Sequence, residues 1–283
     1  MSNLEKIFHI DLDSSINSGQ VFLWKKIGPK WYGINGDNIL IFDKNTIHQK
    51  SDKPSFDFLR LNDDFKKILQ SLKKDRIVHN AVNLYPGLRL FRQDPYQCLI
   101  SFLVSSNSNI QKIQSCLHNL CNKFGEKKIV DGVDFFLFPE PDALAKASVS
   151  EIQKCGLGYR SKSVKNASVL VKNEEVNFEF LKEEDYFSAK KRLKEISGIG
   201  NKVADCILLF SLEKLEAFPL DRWMLRVLEK YYVKKFHIST KTLTEKTYQS
   251  LHNDVVDHFG CYAGYAQQFL FKMERELNEK KWL

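Results

Sequence analysis

Several features that define protein classes are missing from this sequence. Its six cysteines form no Cys-x-x-Cys pair and no Cys/His cluster with the spacing of a zinc site, so we expect no structural zinc and no iron–sulfur cluster. No run approaches the ~20 apolar residues that a membrane helix needs. The first residues, MSNLEKIFHIDLD, include acidic side chains and no long apolar stretch, unlike a secretory signal. These absences predict a soluble intracellular protein with reduced thiols.

The chain carries an excess of positive charge. Lys and Arg number 43 against 35 Asp and Glu in 283 residues, which gives a formal net charge of +8. This excess favours a polyanionic partner, and nucleic acid is the first candidate. A general use of lysine on protein surfaces would give the same composition, so charge alone does not identify the partner.

The first part of the chain has the pattern of an antiparallel sheet. From about Val21 to Ile47, short β-branched and aromatic runs are separated by Gly-Pro, Asn-Gly-Asp and Asp-Lys-Asn turns, which predicts a strand meander. A helix over DFKKILQSLKK follows, and we expect Asn62 or Asp63 to be its N-cap.

The pattern changes to helical after residue 91. Amphipathic and apolar helical segments then continue to the end of the chain, with no internal repeat and no low-complexity tract. We therefore predict an α+β fold with an N-terminal antiparallel sheet domain over 1–90 and a mostly helical domain over 91–283. The most informative segment of the second domain is a helical hairpin at about 190–225.

A tight turn joins two helical patterns in LKEISGIGNKVADCILLF. Gly198 and Gly200 permit positive φ and leave the backbone uncovered. The next helix begins at about Asn201, so its unpaired N–H groups point outward and can bind a phosphate oxygen. A plain connector between two helices would have the same spacing, and the turn alone does not separate the two interpretations.

Lys202 follows this turn and shares a helix face with Cys206, four residues later. Partial desolvation and the helix dipole would favour the neutral amine, which is a nucleophile that forms a Schiff base with an electrophilic carbon. A lysine that extends along the apolar surface to contact a phosphate is the alternative.

Asp221 precedes the apolar-periodic helix RWMLRVLEKYY, in the position of an N-cap. Capping is the simpler interpretation. A capping carboxylate can also face a cleft, where it would stabilise an oxocarbenium-like centre or manage protons.

The hairpin motif followed by PLD, with Asp221 nineteen positions after Lys202, resembles the helix–hairpin–helix DNA glycosylase superfamily. The segments NSGQVFLWKK, DPYQCLISFLVSSNSNIQKI, CGLGYRSKSV, NKVADCILLF and CYAGYAQQFLF resemble, in order, the 8-oxoguanine DNA glycosylases of the eukaryotic type. The endonuclease III and adenine-specific branches are disfavoured because their C-terminal cysteine cluster is missing. The resemblance implies that Lys202 attacks C1′ of the damaged nucleotide and that Asp221 assists.

The resemblance also implies a pocket for the damaged base. Gly19 would offer its carbonyl to the N7–H of 8-oxoguanine, a donor that guanine lacks. Gln267 would hydrogen-bond the Watson–Crick edge of the flipped base, and Phe271 and Cys206 would lie against its two faces. Taken singly, Gly19 is an ordinary turn residue and Phe271 an ordinary core residue.

The DNA contacts follow from the same resemblance. Asn107 would fill the gap in the duplex, Tyr159 would wedge the base stack, and Arg160 would contact the orphaned cytosine, while Gly198 and Gly200 would bind the backbone. Lys112 stands where animal members have a second arginine, and lysine cannot make the planar bidentate contact, so we expect weaker discrimination for cytosine. Trp223 replaces the usual histidine, and no role is carried over to it.

The sequence therefore predicts a monomeric enzyme that excises 8-oxoguanine from double-stranded DNA, preferably opposite cytosine, and nicks the strand by β-elimination. The chemistry needs no metal or other cofactor, although a monovalent cation could bind hairpin carbonyls. We expect a cytoplasmic, nucleoid-associated protein in a prokaryote or a nuclear one in a eukaryote. The alternatives are a glycosylase of the same fold for formamidopyrimidine or an alkylated purine, and a noncatalytic DNA-binding protein.

Overall fold

The computed structural model describes residues 10–43, 53–236, 238 and 243–279. Within these residues two antiparallel sheets are formed by β1 (Trp24–Ile27), β2 (Lys30–Asn35), β3 (Asn38–Phe42), β4 (Lys127–Val130) and β5 (Val133–Phe136). The α-helices of the first half are α1 (Leu12–Ile16), α2 (Lys53–Phe58), α3 (Phe65–Leu72), α4 (Arg76–Leu84), α5 (Pro95–Ser105) and α6 (Ile110–Phe124). Those of the second half are α7 (Pro141–Lys146), α8 (Val149–Ile152), α9 (Ser161–Lys172), α10 (Phe178–Glu183), α11 (Tyr186–Glu195), α12 (Asn201–Ser211), α13 (Arg222–Tyr232), α14 (Glu245–Phe259) and α15 (Ala263–Glu279).

The N-terminal sheet is a meander with the strand order β1-β2-β3. Its register pairs Trp24 with Gly33 and Trp31 with Phe42. The indole of Trp24 stacks on the rings of Phe42 and Phe58, with centroids 5.6 and 5.2 Å apart, so aromatic packing closes the sheet over α2. The predicted antiparallel sheet is confirmed, although Ile47, its predicted end, lies outside the described residues.

The N-cap of α3 is Asp64, whose carboxylate accepts a hydrogen bond from the backbone N–H of Lys67. The prediction of Asn62 or Asp63 was wrong by one or two residues. Asp63 has another partner: its Oδ2 accepts a hydrogen bond from the Tyr265 hydroxyl at 3.2 Å. A carboxylate engaged by the C-terminal helix is not free to cap.

A cluster of ion pairs around the buried Arg60 joins the N-terminal part to the helical part. Glu213, just after α12, accepts hydrogen bonds from Arg60 Nη1 at 2.8 Å and from Arg92 Nε at 2.8 Å. Arg60 is only 1% exposed. Both Arg60 and Glu213 have positive φ, 52° and 60°, which is costly for residues with a side chain. The paired charges hold these two strained turns against each other.

The second sheet is a hairpin that the helical interpretation of residues 91–283 missed. Strands β4 and β5 pair through a turn at Asp131 and Gly132, both with positive φ. An Asp-Gly pair between short apolar runs is a strong local signal for such a hairpin. The Asp131 carboxylate also accepts a hydrogen bond from the Tyr32 hydroxyl at 2.7 Å, so the hairpin is docked on the first sheet.

Helix α12 runs through the core of the helical part. All of its residues from Val203 to Ser211 are buried. It packs against α5, where Phe102 and Phe210 stack at 5.4 Å, and against α15, where a Cβ on Gly264 would lie 2.1 Å from Leu209 Cδ1. The N-terminus of α12 is therefore the part of this helix that reaches solvent.

In the part of the chain that the structure describes, no helix combines the length and hydropathy needed to cross a bilayer. The same residues contain no group of three or more His, Cys, Asp or Glu side chains that could hold a metal ion.

We predict that Glu213→Gln destabilises the protein by about 1–2 kcal/mol at pH 7, because the buried Arg60 guanidinium then keeps only the more distant Asp63 carboxylate, 3.7 Å away, as a partner charge. Burial raises the pKa of Glu213, but hydrogen bonds from Arg92 and the charge of Arg60 outweigh burial and lower that pKa overall. The stabilisation is therefore present above the ordinary glutamate pKa of about 4.3 and is lost as the pH falls through the lowered value. Urea unfolding at several pH values measures this.

The exposed Glu229 provides the control, since Glu229→Gln should change the stability by less than about 0.5 kcal/mol. Equal effects of the two substitutions, or a Glu213 effect that grows in acid, would contradict the role given to this ion pair.

Candidate DNA-binding and catalytic site

The hairpin between α11 and α12 places an uncovered helix N-terminus at the surface. Gly198 has a φ of +93°, and a Cβ there would lie 2.6 Å from Ser163 Oγ on α9. Gly200 is the N-cap of α12 and has no side-chain cap hydrogen bond. A Cβ on Gly200 would have no atom within 4 Å. Lys194 and Asn201, one on each side of the turn, both bind the carboxylate of Glu245. The predicted phosphate-binding turn thus has the required exposed backbone N–H groups.

Lys202 lies in the first turn of α12, facing the end of α5. Its Nζ is 3.4 Å from Ser105 Oγ and 5.3 Å from the centroid of the Phe102 ring. Burial raises the pKa of the Cys206 thiol to about 12, and the nearby Lys202 ammonium opposes this shift. The lysine amine is therefore next to a neutral thiol and a hydroxyl, which leave it available for chemistry.

Asp221 caps α13, as its position in the sequence indicates. Its Oδ1 accepts a hydrogen bond from the backbone N–H of Met224 at 2.8 Å. The pKa of the Asp221 carboxyl is raised overall, and burial is the main cause. The charge of Lys202 and the N–H groups of Met224 and Trp223 lower this pKa but do not outweigh burial. The interaction with Lys202 means that capping and a role in the site are compatible.

The turn at Gly19 is held rigidly. Gly19 has a φ of +81°, and the preceding Ser18 carbonyl accepts a hydrogen bond from Gln268 Nε2 at 2.8 Å. On the other side, Gln20 Nε2 donates to the Arg89 carbonyl at 2.8 Å and its Oε1 accepts from the Phe91 N–H at 2.8 Å. Buried side-chain amides thus fix the peptide groups around Gly19.

Helix α15 brings two other predicted residues to this turn. A Cβ on Gly19 would lie 3.2 Å from Phe271 Cε1. Gln267, one turn earlier on α15, is 5% exposed, and its Oε1 has no hydrogen-bond partner among the described residues. Since a buried polar atom without a partner is costly, this oxygen is a candidate for binding a ligand.

The contact between α12 and α15 connects these residues to the lysine. Gly264 contacts Leu209 closely, Cys206 lies one turn before Leu209, and Gln267 lies one turn after Gly264. This contact joins the helix that carries Lys202 and Cys206 to the helix that carries Gln267 and Phe271.

The predicted DNA-contacting loops also meet. Arg160 donates from Nε to the Ser106 carbonyl at 2.8 Å and from Nη2 to the Asn107 carbonyl at 3.0 Å. Its guanidinium lies 4.6 Å from the centroid of the Tyr159 ring, which is 68% exposed. Asn107 is exposed, with a φ of +48°. Lys112 is exposed on α6, and its Nζ lies 3.2 Å from where a Cβ on Gly156 would be.

Sequence reasoning missed residues that hold this site together. Ser105 and Phe102 contact Lys202, and Gln268 holds the carbonyl before Gly19. The signal for Gln268 was weak, because its amide resembles that of Gln267 and only the structure shows that one is satisfied and the other is not. Trp223 is half-buried in the first turn of α13, with the Arg226 guanidinium 5.5 Å from its ring centroid.

Two family models match the chain. The model described as HhH-GPD superfamily base excision DNA repair protein matches residues 100–253. The 8-oxoguanine DNA glycosylase N-terminal domain matches residues 4–99. The first match includes the hairpin, Lys202 and Asp221, and the second includes Gly19 and the N-terminal sheet.

Curated and solved proteins agree with these matches. N-glycosylase/DNA lyase OGG1 of Arabidopsis thaliana is 29% identical over 290 residues, covering 95% of this chain and 79% of the relative. The structure of MBOgg1 in complex with a low-affinity DNA ligand has a TM-score of 0.85 at 30% identity, covering 96% of this chain and 94% of that chain. The Clostridium acetobutylicum 8-oxoguanine glycosylase/lyase, in complex with dsDNA containing cytosine opposite 8-oxoguanine, has a TM-score of 0.84 at 27% identity, covering 95% and 93%.

These matches confirm both the resemblance predicted from the sequence and the predicted fold class. The chain belongs to the HhH-GPD superfamily of base excision DNA repair proteins, in the branch that carries the N-terminal domain of the 8-oxoguanine DNA glycosylases.

Proposed function

We propose that this protein excises 8-oxoguanine from duplex DNA through a Schiff base at Lys202 and then cleaves the strand by β-elimination. The enzyme class, DNA N-glycosylase and DNA lyase, follows from the family and is that of its curated relatives. The lesion, the covalent mechanism and the base opposite are the proposal.

The observation that carries the lesion assignment is the meeting of Gly19, Phe271 and Gln267. The rigid turn can present a backbone carbonyl to a base that lies against the Phe271 ring. A carbonyl accepts a hydrogen bond from the N7–H of 8-oxoguanine but repels the N7 lone pair of guanine. The unpaired Gln267 Oε1 supplies an acceptor for the Watson–Crick edge of the base.

The proposed chemistry uses Lys202 and Asp221. The Nζ of Lys202 attacks C1′ as the bond from C1′ to the base breaks. The base leaves with its electron pair and takes up a proton released from Nζ. The Asp221 carboxylate stabilises the positive charge that develops on the sugar. The nitrogen lone pair then forms the C1′–Nζ double bond of the Schiff base as the C1′–O4′ bond breaks, and O4′ takes up a proton. Loss of a C2′ proton follows, and its electron pair expels the 3′ phosphate. A noncatalytic DNA-binding module would need neither side chain.

The proposed DNA interface comprises the hairpin and the loops of Asn107, Tyr159 and Arg160. Arg160 binds the carbonyls of the two peptide groups that flank Asn107, so it orders the loop whose asparagine would enter the duplex. Base flipping costs a few kcal/mol, and contacts of this kind offset the cost. We propose that the orphaned base is preferably cytosine and that the protein acts as a monomer on double-stranded DNA.

We propose that the chemistry itself needs no metal or other cofactor. A monovalent cation at the hairpin is compatible with the residues present, because the buried Oδ1 of Asn201, next to Gly200, has no hydrogen-bond partner among the described residues. Such an ion would strengthen the positive potential at the turn that binds phosphate. The proposed location is the cytoplasm of a prokaryote, at the nucleoid, or the nucleus of a eukaryote.

The covalent step is tested by borohydride reduction. We predict that wild-type protein mixed with duplex DNA carrying 8-oxoguanine opposite cytosine gives a stable covalent adduct, since the hydride reduces the Schiff base. Lys202→Gln should give no adduct while it still binds the duplex. An undiminished adduct in Lys202→Gln, or no adduct with wild type, would contradict the mechanism.

The role of Gln267 is tested by comparison with its neighbour. Gln267→Met should leave the thermal stability unchanged or higher, because it removes an unsatisfied buried oxygen, yet slow excision by about tenfold or more. Gln268→Met should cost about 1–3 kcal/mol of stability, because Ser18 loses its hydrogen bond. Thermal unfolding and single-turnover excision measure both effects. A Gln267→Met protein as destabilised as Gln268→Met would assign Gln267 to the core instead.

The substitution at Lys112 predicts a difference between opposite bases. Wild-type protein should discriminate cytosine from the other three bases only modestly, whereas Lys112→Arg should increase that preference by about tenfold, the worth of one bidentate base contact. Single-turnover rates on four duplexes, each with 8-oxoguanine opposite a different base, measure this. Steep discrimination in wild type that Lys112→Arg leaves unchanged would contradict the prediction.

A further inference from the structure

A buried polar network lies beneath the catalytic helix. Asp205, one turn after Lys202, is fully buried, and Lys190 on α11 is 4% exposed. Their charged groups form an ion pair of 2.9 Å. Asp205 Oδ1 also accepts a hydrogen bond from the Tyr186 hydroxyl at 2.7 Å. Its Oδ2 accepts a hydrogen bond from the Tyr248 hydroxyl at 2.6 Å.

Both tyrosine hydroxyls donate to Asp205, and each oxygen also accepts one hydrogen bond, but from different groups. The Tyr186 oxygen accepts from Lys190 Nζ at 2.7 Å, within the network. The Tyr248 oxygen accepts from the backbone N–H of Leu220 at 3.0 Å. Leu220 directly precedes Asp221. Two consecutive hydrogen bonds therefore join the helix that carries Lys202 to the chain segment that carries the carboxylate.

The segment before Asp221 makes a second hydrogen bond to α14, the helix that carries Tyr248. The N–H of Phe218 donates to Nε2 of His252 at 3.3 Å. Burial lowers the pKa of His252 to about 4, so the ring is neutral and can accept this hydrogen bond. The His252 ring stacks on Tyr186, with centroids 4.7 Å apart. Helix α14 is thus the support against which the loop between α12 and α13 is held.

Fold stability alone does not require this arrangement. A buried ion pair is often no more stable than well-packed apolar side chains of the same volume, and such networks specify one geometry when every member is satisfied. A shift of about 1 Å in a catalytic group can cost about 100-fold in rate. A connection between the two catalytic segments therefore has a direct use.

We propose that Tyr248 is a positioning residue, which sets the separation between the Lys202 amine and the Asp221 carboxylate by linking Asp205 to the Leu220 N–H. The inference rests on the proposed function, because it assigns Tyr248 to the same reaction. Tyr248 is buried and acts through Leu220 and Asp205, so it does not need to contact DNA.

The test compares Tyr248→Phe with Tyr186→Phe. Each substitution keeps the aromatic ring and removes one hydroxyl that donates to Asp205 and accepts one hydrogen bond, from Lys190 in the case of Tyr186 and from Leu220 in the case of Tyr248. Both should therefore lower the melting temperature by a similar amount. Tyr248→Phe alone frees the segment before Asp221. We expect its single-turnover excision rate to fall about tenfold or more below that of Tyr186→Phe, with an unchanged Kd for the duplex. The same order should hold for borohydride trapping on a duplex with an abasic site.

Borohydride trapping on abasic-site DNA separates the positioning role of Tyr248 from the proposed excision of 8-oxoguanine. Trapping needs the Lys202–Asp221 pair but no recognition of a base. Equal rates for the two Phe variants in both assays would overturn the positioning role while leaving the proposed function intact. Wild-type trapping on abasic-site DNA without excision of 8-oxoguanine would contradict the proposed lesion, and slower trapping by Tyr248→Phe would still support the positioning role. Wild-type protein inactive in both assays would overturn both proposals.

Discussion

The burial of α12 is the constraint on which the site depends. From Val203 onward the helix is buried, so its first turn is the part that reaches solvent. Cys206 is also buried, at 3% exposed, and its predicted contact with the base stays a prediction. The first turn contains the side chain of Lys202 and the uncovered backbone N–H groups that follow Gly200. A core helix that ends at the surface gives the amine a fixed location and places it beside backbone groups that attract a phosphate.

The same helix organises the second half of the site through its contact with α15. The absence of a side chain at Gly264 lets α15 approach Leu209, and α15 in turn supports the Gly19 turn through Gln268 and Phe271. The residues proposed for base recognition and for covalent chemistry therefore lie on or against two helices in contact, while exposed loops carry the contacts proposed for the rest of the duplex. Rigid elements suit the proposed recognition, which has to distinguish 8-oxoguanine from guanine by the hydrogen on N7.

The sequence predicted what depends on local rules. Asp221 is an N-cap because aspartate satisfies the first N–H groups of a helix, and the glycines around Ile199 form a tight turn because they tolerate its backbone. The β4–β5 hairpin could have been found from Asp131-Gly132 but was overlooked among helical patterns. The link from Asp205 through Tyr248 to Leu220 could not be predicted. Its members are 43 and 28 residues apart, and nothing local distinguishes Tyr248 from an ordinary core aromatic residue.

We propose that the Gly19 turn and α15 form one pocket for the base, next to Lys202. A crystal structure of Lys202→Gln bound to duplex DNA with 8-oxoguanine opposite cytosine tests this most directly. We expect a base flipped out of the duplex against Phe271, with its N7–H donating to the Gly19 carbonyl and its Watson–Crick edge bound by Gln267. A lesion that stays in the stack, or a flipped base that contacts neither Gly19 nor Gln267, would contradict it.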